Sequence, residues 1–226
     1  MPRNVASTPH ISSSSPRTNT SWGCLSLPVS WLLPPFSVLF AGLLMSLFLP
    51  TAPPTSPSTN RDLASFFTPE VQYWATDIRR WSAEHGLDPN LVATVMQIES
   101  CGNPRAVSPA GAIGLFQVMP YHFAAGENPY HPDTNARRGL AYLSTALQTH
   151  RHNTRLALAA YNGGIAGSQR SEIAWPAETR RYVYWGEQIY QDARAGKTYS
   201  ARLNEWLSRG GNGLCAAAAA QLGILP

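Results

Sequence analysis

Glu99 is a solitary carboxylic acid: the next acidic residue along the chain is Glu127. It follows the apolar residues Val95, Met96 and Ile98 at the predicted end of a helix. Apolar neighbours and the negative end of the helix dipole both disfavour a charged carboxylate. The pattern therefore predicts a carboxyl group that can donate a proton, and the plainer interpretation is a solvated residue at a helix end.

The residues that follow Glu99 favour the catalytic interpretation. The segment "SPAGAIG" (108–114) is a run of small residues that can lie close to a bulky ligand. Gln117 then adds an amide that both donates and accepts hydrogen bonds. No cluster of Cys and His with metal-ligand spacing occurs in the sequence, so we expect neither a metal ion nor an organic cofactor.

An amphipathic helix is predicted over "TPEVQYWATDIRRWSAEHG" (68–86). Thr68 is the expected N-cap, Pro69 suits the first helical position, and Gly86 is a typical terminator. Apolar residues recur at helical spacing and predict one buried face: Val71, Trp74, Ile78 and Trp81.

A second predicted helix positions the candidate acid. In "LDPNLVATVMQIES" (87–100), Asp88 is the expected N-cap and the helix ends at Glu99. Three more helices are predicted: one that starts near 133–135 and carries "RRGLAYLSTAL", one containing "RLALAAYN", and one over "AETRRYVYWGEQIYQDAR". Since no long alternating strand is evident, we expect a compact, mainly α domain over residues 66–226.

The first part of the chain has a different composition. Residues 1–60 contain no Asp or Glu, and an apolar run from Phe36 to Leu49 lies within them. A run of about 14 residues suits a signal-peptide core better than the roughly 20 residues that span a bilayer. Residues 1–50 are therefore predicted to be a cleaved signal peptide or an N-terminal membrane anchor, and 51–65 a Pro/Ser/Thr-rich linker. A buried core helix is the alternative for the apolar run. A cleaved signal peptide and an uncleaved anchor would both place the predicted domain outside the cytoplasm.

The charge distribution argues against a nucleic-acid partner. The chain has 17 basic and 13 acidic residues, its arginines are scattered, and its only lysine is Lys197. Nucleic-acid binding usually requires a clustered basic face. A monomer is expected.

Four short motifs in order resemble those of the bacterial lytic transglycosylases of the soluble type (SLT), a family with a lysozyme-like, mainly α fold similar to goose-type lysozyme. The motifs are Glu99-Ser100, "GLFQ" (114–117) with Phe116 where the family has Met, "AAYNGG" (159–164) and "PAETRRYV" (176–183). The resemblance covers roughly residues 86–192.

The resemblance implies roles for individual residues. Glu99 would be the single catalytic acid and base, and Ser108 would lie close to it and to the N-acetyl group of the sugar. Tyr161 would orient the reacting centre by its hydroxyl. The remaining positions that match the family's cleft are Gly114, Gln117, Met119, Asn162, Glu178 and Tyr182; Glu178 would be a nearby carboxylate that is not a nucleophile. Without the resemblance, Ser108 and Asn162 are also typical of turns and helix ends, and the tyrosines of core aromatics.

The family's substrate is the glycan strand of peptidoglycan. By resemblance, this chain would cleave the bond between N-acetylmuramic acid and N-acetylglucosamine and form a 1,6-anhydro ring, which needs one carboxyl group where hydrolases usually need two. A hydrolysing lysozyme of the same fold and a wall-binding module without turnover are the alternatives.

Two cysteines lie in the predicted domain. Cys101 follows the catalytic helix, and Cys215 lies in the C-terminal segment "GLCAAAAAQLGI". Because an exported domain meets oxidising surroundings, we expect a disulfide that pins this segment beside the active site, with two separate buried thiols as the alternative.

Overall fold

The computed structural model describes residues 62–224, in which most helices follow one another with short connections and one long stretch, 100–131, separates two of them. Nine are α-helical: α1 Pro69–Tyr73, α2 Ala75–His85, α3 Pro89–Glu99, α4 Pro132–Thr149, α5 Thr154–Gly163, α6 Ile165–Ser168, α7 Ala177–Arg194, α8 Ala201–Trp206 and α9 Asn212–Leu222. Single 3-10 turns occur at Pro120–His122 and Glu172–Ala174, and a π-helical segment, Leu207–Gly211, joins α8 to α9. Within the described residues, β structure is limited to isolated bridges, so the mainly α prediction is confirmed.

The predicted single helix over 68–86 is wrong in one respect, because the chain forms two helices that meet at Trp74. This residue leaves helical geometry (φ −90°, ψ 10°), and its indole Nε1 donates a hydrogen bond to the carbonyl of Gly102 at 2.9 Å. The Thr68 hydroxyl bonds to the side chain of Gln97 and caps no helix N–H. The predicted apolar face is nevertheless buried, and Gly86 ends α2 with φ 64°.

Helix α3 runs through the centre of the domain and delivers Glu99 at its last position. The Asp88 side chain accepts a hydrogen bond from the backbone N–H of Asn90 at 2.8 Å, as expected of an N-cap. Helix α7 packs closely against α3 because Gly186 has no side chain: a Cβ there would lie 3.4 Å from Ile98 and 3.3 Å from Leu158 of α5. The close packing of α3 against α5 and α7 therefore fixes the position of Glu99 at the end of α3.

The helices after residue 200 were not predicted individually. They return to the end of α3, where the Sγ atoms of Cys101 and Cys215 are bonded at 1.97 Å. The Ser200 hydroxyl, which bonds to the buried Asp192 at 2.7 Å, anchors the start of α8 to the end of α7. The C-terminal segment is thus attached at both of its ends.

None of the helices within residues 62–224 is long and apolar enough to cross a membrane. The predicted signal or anchor (1–50) and most of the predicted linker (51–65) lie outside the described residues.

Candidate active site

A cleft of about 540 Å³ opens at the C-terminal end of α3. It brings together six of the residues predicted from the sequence: Glu99, Ser108, Gln117, Asn162, Glu178 and Tyr182. Other side chains complete its walls: Ile98, Ala106, Val107, Pro109, Arg181, Trp185, Trp206, Arg209 and Leu214. The cleft thus has a polar centre and apolar sides.

Glu99 is held by protein on most sides and keeps a partly exposed face toward this cleft. Burial raises the pKa of its carboxyl to about 8. A carboxyl with this pKa is mostly protonated at neutral pH, so that it can act as a general acid.

Two neighbours on α7 act on Glu99 in opposite directions. The Tyr182 hydroxyl lies near the carboxyl and stabilises its charged form, which lowers the pKa of Glu99, although no well-aligned hydrogen bond is completed. The negative charge of Glu178, one helical turn earlier, raises the pKa of Glu99. Glu178 is itself exposed at the rim of the cleft.

Ser108 and Gln117 present one free polar group each. The Ser108 oxygen accepts a hydrogen bond from the backbone N–H of Ala112 at 3.0 Å, which leaves the hydroxyl proton for a ligand. The Gln117 amide nitrogen donates to the carbonyls of Gly114 at 3.0 Å and Ala106 at 3.3 Å. Because both partners are acceptors, the amide oxygen of Gln117 is the group left to accept a hydrogen bond from a ligand.

Asn162 contributes the complementary group from the other wall. Its amide oxygen accepts a hydrogen bond from the Thr179 hydroxyl at 2.8 Å. Because Asn162 lines the cleft, its amide nitrogen remains as a donor for a ligand.

Three predicted residues are not among those that line the cleft. Gly114 has φ 78°, and a Cβ there would lie 2.5 Å from the side chain of Asn135, so only glycine fits. Met119 is half-buried before the 3-10 turn Pro120–His122. The Tyr161 hydroxyl donates to the backbone carbonyl of Phe116 at 2.7 Å, which ties α5 to the "GLFQ" segment.

Ser100 links the end of α3 to the same segment. Its hydroxyl donates to the carbonyl of Leu115 at 2.7 Å and accepts from the N–H of Gly102 at 3.1 Å, and the residue is fully buried. The "ES" motif therefore places a residue that ties two segments together directly after Glu99.

The individual residues of the far wall of the cleft were not predicted from the sequence. Trp206, Arg209 and Leu214 come from the C-terminal segment, outside the four motifs. Cys215 was the available signal, since a bond to Cys101 places its neighbours beside Glu99.

A group of possible metal-binding atoms occurs below the cleft, where Glu70, Cys101 and Cys215 place ligand atoms within 4.8 Å of one another. The two sulfurs are bonded to each other, and a disulfide offers no thiolate to a metal ion. This cluster is therefore a structural bridge.

Part of the described chain matches a known protein family. Residues 77–179 match the family described as the Transglycosylase SLT domain. The predicted resemblance to the soluble-type lytic transglycosylases is confirmed over these residues.

Relatives of the chain are similar over this region. It is 40% identical over 114 residues to "Transglycosylase" of Enterobacteria phage PRD1, which covers 50% of this chain and 40% of that protein. It is 36% identical over 113 residues to "Membrane-bound lytic murein transglycosylase C" of Photorhabdus laumondii, covering 40% of this chain and 31% of that one. The chain therefore spans less than half of the length of these relatives.

A solved structure of an inactive mutant of lytic transglycosylase Slt from Pseudomonas aeruginosa is 26% identical, with a TM-score of 0.45. The match covers 54% of this chain and 24% of that chain.

Proposed function

We propose that this chain is a peptidoglycan lytic transglycosylase that cleaves the β-1,4 bond between N-acetylmuramic acid and N-acetylglucosamine. The observation that carries the proposal is the carboxyl of Glu99, which faces the cleft with a pKa raised to about 8. A group that is protonated at neutral pH can donate its proton to a glycosidic oxygen.

In the first step, Glu99 protonates the oxygen that links the two sugars, and the bond from that oxygen to C1 of N-acetylmuramic acid breaks. Positive charge at C1 is met by the oxygen of the substrate's own N-acetyl group. The Ser108 hydroxyl, whose proton is free, donates a hydrogen bond that holds this N-acetyl group in place.

In the second step, Glu99 is a carboxylate and acts as the base. It removes the proton from the C6 hydroxyl of the same muramic acid, and the C6 oxygen bonds to C1 to close the 1,6-anhydro ring. Glu99 regains the proton that it lost, so the enzyme is restored. Because the nucleophile belongs to the substrate, its effective concentration is high and no water molecule has to be positioned.

Gln117 and Asn162, which both line the cleft with Glu99, bind the glycan. The free amide oxygen of Gln117 accepts from a sugar hydroxyl, and the free amide nitrogen of Asn162 donates to one. Glu178 acts through its charge, which raises the pKa of Glu99 in addition to the larger effect of burial.

The mass of the products tests this function. Purified peptidoglycan digested by the protein should yield muropeptides that end in 1,6-anhydro-N-acetylmuramic acid, lighter than hydrolysis products by one water, about 18 Da, because ring closure replaces attack by water. Glu99→Gln should lose activity by about 100- to 10,000-fold. Glu84→Gln, which changes an exposed carboxylate remote from the cleft, is the matched control and should retain activity.

Two other outcomes would contradict the proposal. Products that carry the added water would identify a lysozyme of the same fold. Glycan binding without any change of turbidity or product mass would identify a wall-binding module.

The relatives named as membrane-bound murein transglycosylases support an extracytoplasmic location, as does the acid-free N-terminal stretch. We infer that the domain works in the cell envelope, released or tethered through residues 1–50.

A further inference from the structure

Two arginines line the cleft that contains Glu99. Arg181 lies on α7 and Arg209 in the π-helical segment after α8, and both side chains are exposed. Neither makes an ion pair with any carboxylate within residues 62–224. Two cationic groups in one cleft are therefore open to a ligand.

Arg209 is placed by an irregular piece of backbone. Gly210 has φ 122°, a conformation that L side chains rarely adopt, and the chain turns there between α8 and α9. A Cβ on the next residue, Gly211, would lie 2.3 Å from the indole ring of Trp206. The two glycines thus let the backbone fold tightly over Trp206, which is itself part of the cleft wall.

The wall that carries Arg209 is attached to the rest of the domain on both sides. The Arg202 guanidinium lies over the ring of Tyr184, 3.6 Å from its centroid, and pairs with Glu205 at 2.5 Å. On the far side of the bulge, the Cys101–Cys215 bond attaches α9 to the end of α3. Arg209 is therefore presented by a braced segment that lies outside the residues matched by the family model, 77–179.

The sugar rings of the glycan offer no charged group that would pair with these two arginines. The hydroxyls and N-acetyl groups of the sugars are neutral, whereas a guanidinium is suited to a planar carboxylate. Muramic acid differs from its neighbour sugar by a lactyl group, which bears either a peptide with free carboxylates or, on a strand without peptides, its own carboxylate.

We propose that Arg181 and Arg209 bind a carboxylate of the substituent on muramic acid and thereby make this cleft selective for carboxylate-bearing glycan. The inference rests on the proposed function, since it assigns a substrate feature to the same cleft.

The experiment measures binding in a Glu99→Gln background, so that cleavage does not interfere. Three probes are compared: peptide-bearing glycan fragments, the same fragments after an amidase has removed the peptides, and neutral N-acetylglucosamine oligomers. The variants are Arg181→Gln and Arg209→Gln. Arg170→Gln is the matched control, because Arg170 is exposed, outside the cleft and makes no side-chain contact with a carboxylate in the described part of the chain.

Each cleft variant should weaken binding of a carboxylate-bearing probe by about three- to tenfold at low salt, as expected for exposed charge-assisted pairs. The loss should shrink in high salt, which screens exposed charges. Binding of the neutral oligomers should not change. A loss with peptide-bearing fragments alone identifies the peptide as the source, and a loss with the stripped strands alone identifies the lactyl carboxylate.

An equal loss on neutral oligomers, or no loss on either charged probe, overturns the inference. The proposed function fails separately: if the unmodified protein releases hydrolysed products while the arginine variants still lose affinity for charged probes, the selectivity stands and the transglycosylase assignment does not.

Discussion

The buried hydroxyl of Tyr182 lies near the carboxyl of Glu99 and favours its charged form. Burial outweighs this effect and holds the pKa of Glu99 at about 8. The pKa of Glu99 thus reflects opposing effects of its surroundings. The effects of Tyr182 and Glu178 can each be removed by a single substitution.

The pH dependence of cleavage should follow this balance. Glu99 must be protonated for the first step, so kcat/KM should fall as the pH rises through about 8. Glu178→Gln removes a like charge and should move this alkaline limit to lower pH, whereas Tyr182→Phe removes a group that favours the carboxylate and should move it higher. Initial rates on soluble glycan at a series of pH values measure all three. Shifts of the same sign in both variants would contradict the assignment.

Glu99→Gln should stabilise the protein in a defined pH window. The pKa of Glu99 is near 4.5 when unfolded and about 8 when folded, so the folded protein holds the extra proton between these values. Its free energy of unfolding therefore falls as the pH rises from about 4.5 to about 8, and this loss is absent in the variant. The difference in unfolding free energy should grow by about 1 to 4 kcal/mol across the window. Urea unfolding at the two ends measures it; a constant difference would show that the pKa is not raised.

Tyr161→Phe separates two roles for one hydroxyl. The Tyr161 hydroxyl donates a hydrogen bond to the carbonyl of Phe116 at 2.7 Å, which joins α5 to the "GLFQ" segment. Its loss should cost about 1 to 3 kcal/mol of stability, because a partly buried acceptor loses its partner. If the hydroxyl also orients the reacting centre, kcat should fall by more than tenfold under conditions where the variant is fully folded. Thermal unfolding and kcat, measured on the same preparation, distinguish these results.

Location can be tested on cells. Protease added to intact spheroplasts should digest the domain if the N-terminal stretch exports it. A cytoplasmic marker protein is the control. Protection of both proteins would mean that residues 1–50 do not deliver the domain outside.

The sequence predicted those features of the fold, such as helix starts and ends, that depend on interactions between neighbouring residues. Asp88 with Pro89 begins α3, and Gly86 ends α2, because caps and turns depend on neighbouring residues. The break at Trp74 could not be predicted in this way, since it depends on a hydrogen bond to Gly102, 28 positions away.

The same limit applies to the cleft. Glu99, Ser108 and Gln117 lie close together along the chain, and their motifs were recognisable. The orientation of the Tyr161 hydroxyl toward Phe116, 45 residues earlier, is a tertiary contact. Arg209 reaches the cleft through a glycine bulge, which no helical or strand periodicity indicates.

The bond between Cys101 and Cys215 gives the last prediction. It joins positions 114 residues apart and holds the segment that carries Trp206 and Arg209 against the end of α3. Thiol counting on the denatured, unreduced 61–226 fragment should find no free thiol, and two free thiols would exclude the bond.

Removing the bond should affect stability and the cleft together. Cys215→Ser with Cys101→Ser should lose about 2 to 5 kcal/mol of unfolding free energy, because closure of a long loop no longer restricts the unfolded chain. Because the segment that carries Trp206 and Arg209 is no longer attached to α3, glycan binding should also weaken. A reductant should produce the same change in the unmodified protein but none in the double variant. Because that variant has no disulfide between these positions to reduce, it separates loss of the bond from any other effect of the reductant. Unchanged stability and glycan affinity in the double variant would show that α8 and α9 stay in place without the disulfide.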